Sequence, residues 1–91
     1  MTKQEFVDFC LRNNLSDQFI ITEGYFCSIR NIIGCNKVED SYIVYSTNTV
    51  GAIHKIAEFD NEYYTFRFLF LIIKNYLELE YGKEKIKEFK I

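Results

Sequence analysis

Over the first thirteen residues apolar positions recur at three- and four-residue spacings: Phe6, Phe9 and Cys10 share one stripe, with Val7 and Leu11 beside it. That is the pattern of a helix with one face turned to a core. Thr2 and Glu5 stand ahead of the stripe with the S/T-x-x-E spacing, in which each side chain takes an orphan backbone N–H of the first turn. Asn13 and Asn14 follow it, and asparagine tolerates the left-handed backbone that closes a helix. The spacing predicts a helix from about Thr2 to about Asn13.

From Phe19 to Phe59 the periodicity shortens, β-branched and aromatic residues become frequent, and Gly24, Gly34 and Gly51 punctuate the run. These are strand signals. Tyr25, Cys27 and Ile29 alternate with Phe26, Ser28 and Arg30, which predicts a strand with one apolar face. The polar stretch Gly34 to Ser41 reads as a connection. Tyr42 to Ser46 is the next expected strand, Thr47-Asn48-Thr49 its turn, and Val50 to Phe59 the one after it. Connections this short join antiparallel neighbours. Phe19 to Thr22 fits either a further short strand or a helical turn.

The strongest helical pattern begins at Asp60, read as the N-cap, with Asn61 and Glu62 following at the positive end of the helix dipole. At about 100° per residue, Asp60, Arg67, Lys74 and Glu78 gather within about 40° of one another. Phe66, Phe68, Leu69, Phe70, Ile72, Ile73, Tyr76 and Leu77 occupy most of the remaining circumference. A helix so widely apolar is expected to lie across a sheet beside another helix and form the core. Gly82 is its expected end, and Lys83 to Ile91, with Ile86 and Phe89 three apart, reads as a short terminal helix or an extension. The resulting expectation is an α+β fold in one domain over residues 1–91. In it a small antiparallel meander of three to four strands packs against an N-terminal helix and a long C-terminal helix.

The chain has 91 residues, 48% of them hydrophobic and 26% charged, with no proline and sixteen aromatics, seven Tyr and nine Phe. A chain this short leaves roughly 40% of its unfolded surface exposed after folding, so some tyrosines are expected at the surface. Charge changes the picture through its distribution. Residues 1–82 carry seven Lys and Arg against eleven Asp and Glu, a balance of −4, and the last nine residues are +2. An acidic body with one short basic tail lacks the clustered basic face of a nucleic-acid binder, so nucleic acid is not an expected partner. The longest apolar run, Phe66 to Ile73, is eight residues and contains Arg67, against the roughly 20 needed to span a bilayer. No membrane association is expected. The stretch Met1 to Glu5 lacks the apolar segment of a signal peptide, and Cys10, Cys27 and Cys35 have no CxxC spacing. Reduced thiols and a cytoplasmic location are the expectation.

The residues that could carry chemistry do not assemble into a motif. His54, the only histidine, falls in an expected strand on a face shared with Val50, Ala52 and Ile56, with no motif around any thiol that would make a Cys–His nucleophile. A Cys3His zinc site would want close cysteine pairs, yet Cys27 and Cys35 are eight apart. Glu78 and Glu80 stand at i, i+2 on different helix faces, and the four glycines form no phosphate-binding loop. The reading is therefore of a protein without catalytic activity, cofactor or metal.

What remains is surface. Tyr42 and Tyr45 point to opposite faces of one strand, and Tyr63 and Tyr64 follow the cap of the long helix, so at least one of each pair is expected in solvent beside Glu39, Asp40, Asp60 or Glu62. Tyrosines among carboxylates suit a protein interface: the rings give contact area with few rotatable bonds, and the carboxylates steer a basic partner. Glu39, Asp40, Tyr42, Tyr45, Asp60, Glu62 and Tyr63 are the candidate contact residues.

The Y-x-V-Y segment at Tyr42 to Tyr45, the turn bearing Gly51, and the F-D-x-E segment Phe59 to Glu62 opening an apolar helix are together similar to the small immunity proteins of bacterial polymorphic toxin systems. The similarity spans roughly residues 25–80. It implies a cytoplasmic single-domain protein that binds a cognate toxin domain stoichiometrically and blocks it. The alternatives are an inhibitor encoded by a phage or mobile element, and a structural module whose exposed tyrosines meet their own copies in a homodimer.

Overall fold

The computed structural model describes the backbone of residues 1–81 and the side-chain surroundings of residues 1–75. Helix α1 runs Lys3–Arg12; a 3-10 turn at Ser16–Gln18 leads into β1, Phe19–Glu23. Strands β2 (Ile33–Val38), β3 (Ser41–Thr47) and β4 (Ile53–Phe59) follow, and α2 occupies Glu62–Tyr81. The expected closing glycine Gly82 and the terminal segment Lys83 to Ile91 lie outside the described residues.

The start of α1 is as its sequence implies. Glu5 N donates to Thr2 Oγ1 at 3.2 Å and Thr2 N donates to Glu5 Oε1 at 3.0 Å. The Thr2 N–H, together with the Thr2 hydroxyl, holds the Glu5 carboxyl below its ordinary range. Asn13 caps the other end, and Asn14 sits at φ 55°. The start of α2 corrects the expected cap: the first helical residue is Glu62, and the first-turn N–H of Tyr64 is taken by Asn61 Oδ1 at 2.9 Å, not by Asp60.

The four strands form one sheet in the order β1-β2-β3-β4, an α+β arrangement in which the sheet is mostly antiparallel. Its departure from a pure meander is β1, which pairs parallel to β2 from Phe19↔Ile33 to Glu23↔Lys37. Two expected elements change places. Tyr25 to Arg30 is not a strand but part of the crossover loop between β1 and β2, and most of the expected connection Gly34 to Ser41 is the central strand β2. Phe19 to Thr22, left open above, is strand.

Both helices cover one sheet face. Phe6, Phe9 and Cys10 from α1, Cys35 and Val44 from the sheet, and Phe66, Leu69 and Ile73 from α2 form the buried core. Phe6 meets Phe66 with ring centroids 5.5 Å apart and Phe9 meets Phe70 at 5.2 Å, so aromatic edges and faces carry the contact between helices. The eight-residue apolar run of α2 is not uniformly inside. Phe68, Phe70 and Ile72 are half-buried and Leu71 is 46% exposed, because only one side of the helix meets the sheet and α1.

The opposite face is covered in part by the crossover. Tyr45 is fully buried there. Its ring lies against Gly34, where any Cβ would run into it, and against Phe26 at 4.9 Å, while its hydroxyl accepts from Cys27 N at 2.9 Å. Thr47 Oγ1 accepts from Ile32 N at 3.0 Å and donates to Ile29 O, and Asn31 N donates to Asn48 O. Tyr45 and Thr47 so take Cys27 N and Ile29 O, backbone groups that a strand at 25–30 would have given to a ladder.

Truncating Phe66 to Ala is expected to cost about 3–5 kcal/mol, measured by urea unfolding, against a change within about 0.5 kcal/mol for exposed Arg67→Ala. Asn61→Ala should cost about 0.5–2 kcal/mol through the lost cap, and Asp60→Ala much less. Equal effects of the two would mean that Asp60 caps α2 after all.

Candidate functional site

Register determines which candidate residues meet. The β2–β3 hairpin closes on the Val38↔Ser41 pair, with Glu39 and Asp40 as its two-residue loop, and Tyr42 pairs with Phe59, the residue before Asp60. The hairpin loop and the β4–α2 junction therefore lie at one end of the sheet. Glu39, Asp40, Asp60 and Glu62 are exposed there, as are Tyr63 at 52% and Tyr64 at 57%, whose rings pack edge to face at 5.8 Å.

Two of the expected contact residues behave differently. Tyr42 is half-buried: its ring approaches Phe66 at 6.4 Å, and Lys37 Nζ stands 5.7 Å from its centroid. It lines a recess of about 70 Å³ with Lys3, Glu23, Lys37 and Glu62 around an apolar floor that includes Phe66. The recess is far below the volume of a small-molecule site. Tyr45, fully buried on the other sheet face, contacts no surface, and its expected role is corrected to a structural one. Alternation alone placed it on the face opposite Tyr42; burial there comes from the crossover loop, which reads as a strand in sequence.

Glu39 has backbone φ 55°. Asn14 and Asn31 share that angle, and asparagine tolerates it, but the conformation is unfavourable for glutamate by about 1–2 kcal/mol.

A second surface was hidden in the sequence. Tyr25 (62% exposed), Phe26 and Ile29 on the crossover lie on the sheet face that also carries Ile53. Gly51 in the β3–β4 turn packs against the backbone of Ser28, so Val50, 78% exposed, lies beside the same loop. The signal was available in the aromatic and aliphatic content of residues 25–29. The alternation there, however, resembles a buried strand.

Around the thiols and the histidine the geometry supports no concerted chemistry. Cys10, Cys27 and Cys35 are free. His54 is exposed on β4 opposite Ser46, and among the described residues no group of three His, Cys, Asp or Glu side chains could hold a metal ion. No described helix is long and apolar enough to cross a membrane. Burial raises the Cys10 thiol to about 11 and the Cys35 thiol to about 11, the latter slightly opposed by Lys3.

A thiol raised above its unfolded value of 9.0 contributes stability that is present below pH 9 and lost as pH rises toward 11. Unfolding free energy should therefore fall across that window more steeply than in a Cys10→Ala, Cys35→Ala double variant. The check is urea unfolding at half-unit pH steps, and parallel slopes would contradict it.

No protein-family model, no curated protein and no solved structure matches the chain.

Proposed function

We propose that the protein is a stoichiometric binder that occupies and neutralises a basic toxin domain, acting as a cytoplasmic immunity protein without catalytic activity of its own. Its contact surface is the acidic end of the sheet, which carries Glu39, Asp40, Asp60 and Glu62 together with the exposed rings of Tyr63 and Tyr64 and the half-buried ring of Tyr42. The observation that carries the reading is Glu39. A glutamate held at φ 55° in a two-residue turn works against stability where Gly or Asn would not. Strain of this kind is retained where the side chain itself is useful. Here the carboxylate sits on a two-residue hairpin turn at the same end of the sheet as three others, an arrangement that speeds encounter with a positively charged partner and weakens as salt screens it.

A second reading, a homodimer, is favoured by the apolar surface of Tyr25, Phe26, Ile29, Val50 and Ile53, since contiguous exposed apolar side chains mark contact sites. Light scattering across a hundredfold concentration range separates it from a monomeric binder.

The test of the first reading takes the products of the genes adjacent to this one, titrated by calorimetry and, where one is a toxin, challenged in cells. Glu39→Asn should raise stability by about 0.5–1 kcal/mol while weakening the complex. Asp40→Lys with Glu62→Lys should slow association and reduce protection with the circular dichroism spectrum unchanged. If these variants bind and protect like the parent, the acidic end is not the interface. If no neighbouring gene product binds, the immunity reading fails as a whole.

A further inference from the structure

Asn36 is the least comfortable residue of the sheet. It is 1% exposed, and neither its Oδ1 nor its Nδ2 has a hydrogen-bond partner among the described residues. A buried polar group without a partner costs about 1–3 kcal/mol, so the closed structure carries a local penalty at this position. Asn36 alternates with core residue Cys35 and so faces the side of the sheet opposite the helices, flanked by Thr22 on β1 and Ile43 on β3.

The crossover loop runs over that position. At one side Thr22 Oγ1 donates to Tyr25 O at 2.6 Å and Gly24 N donates to Lys37 O at 2.9 Å. At the other, Cys27 N donates to the Tyr45 hydroxyl, whose ring lies on Gly34, two residues from Asn36. The loop is attached mainly through three side chains, Thr22, Tyr45 and Thr47, and not through a strand ladder. It leaves β1 at Gly24, which has φ 82° and open space around it. Its outer side chains Tyr25 and Ile29 are more than half exposed, so the apolar burial that opposes its release is mainly that of Phe26 and the Tyr45 ring it covers.

We propose that the β1–β2 crossover, residues 25–31, is a lid that opens as a unit about Gly24, with the unpaired Asn36 amide biasing it toward opening. Closed, it offers an apolar surface. Open, it uncovers a polar floor made by the Asn36 amide, the Thr22 and Thr47 hydroxyls and the Tyr45 phenol. The lid is independent of the acidic end, because none of its attachments involves Glu39, Asp40, Asp60 or Glu62.

Amide hydrogen exchange by NMR on the full chain tests it, reading Cys27 and Asn31, whose N–H groups are bonded to Tyr45 and to Asn48 O in the closed form. Both are expected to exchange together and at least tenfold faster than the amides of Phe66 and Leu69. Asn36→Val removes the unpaired groups and keeps a strand-favouring shape. It should slow Cys27 and Asn31 by about five- to a hundredfold without lowering the melting temperature. Unchanged exchange would overturn the proposal; so would loss of the fold, because an amide whose removal unfolds the protein holds the closed state together. A second variant leaves Asn36 alone. Tyr45→Phe removes one attachment, and concerted opening requires Asn31 to accelerate with Cys27 although its acceptor Asn48 O is untouched. Acceleration of Cys27 alone would mean local fraying and no lid.

Discussion

The contact between the Tyr45 ring and the bare backbone of Gly34 organises the half of the molecule that the helices do not reach. Because Gly34 has no side chain, a full aromatic ring can lie on the middle of β2 and deliver its hydroxyl to Cys27 N. That bond seats the crossover, and the crossover in turn buries Tyr45 and gives β1 a route to lie parallel beside β2. Any side chain at position 34 would displace the ring, detach the loop and leave one sheet face open. The aromatic core on the other side, built on Phe6, Phe9 and Phe66, supplies most of the apolar burial but does not determine this arrangement.

The division explains what could be read from the chain beforehand. Local devices were legible: the reciprocal Thr2–Glu5 cap, the α1 stripe ending at Asn13, the β3 strand and the apolar side of α2 each depend on residues within a turn or two of one another. The region 24–40 was not. Gly34, Asn36 and Lys37 look like turn residues because the reason for a glycine at position 34 sits eleven residues away, at Tyr45. Tyr25 to Ile29 look like a strand because alternation does not reveal whether a neighbouring strand takes the backbone groups. The same long-range dependence misassigned Tyr45 to the surface, whereas the acidic members of the candidate site lie on short turns at one end of the sheet. The shift of the α2 cap from Asp60 to Asn61 is a one-residue matter between two good capping side chains.

The molecule presents two unlike surfaces. One end of the sheet is carboxylate and tyrosine on rigid turns; the crossover face is apolar and rests on side-chain attachments. Rigid charged surfaces favour rapid, salt-sensitive encounter, and the strain at Glu39 belongs to that side. The penalty at Asn36 belongs to the other. The two departures from the most stable choice of residue thus lie in separate places and are of different physical kinds.

The register change between Val44 and Tyr45 leaves Ile56 as an extra residue in β4, with Ala57 and Lys55 as the paired neighbours on either side. One effect is to bring Lys55 and Glu58 to the same face, where they form an ion pair at 2.6 Å and the lysine draws the Glu58 carboxyl below its ordinary range. The other concerns chains that have just been made. An outer strand carrying Ile53 and Ile56 in a flat, regular ladder would be a template for the same strand of another copy. The bulge bends that edge and breaks its repeat, and the charged pair makes each further copy harder to add.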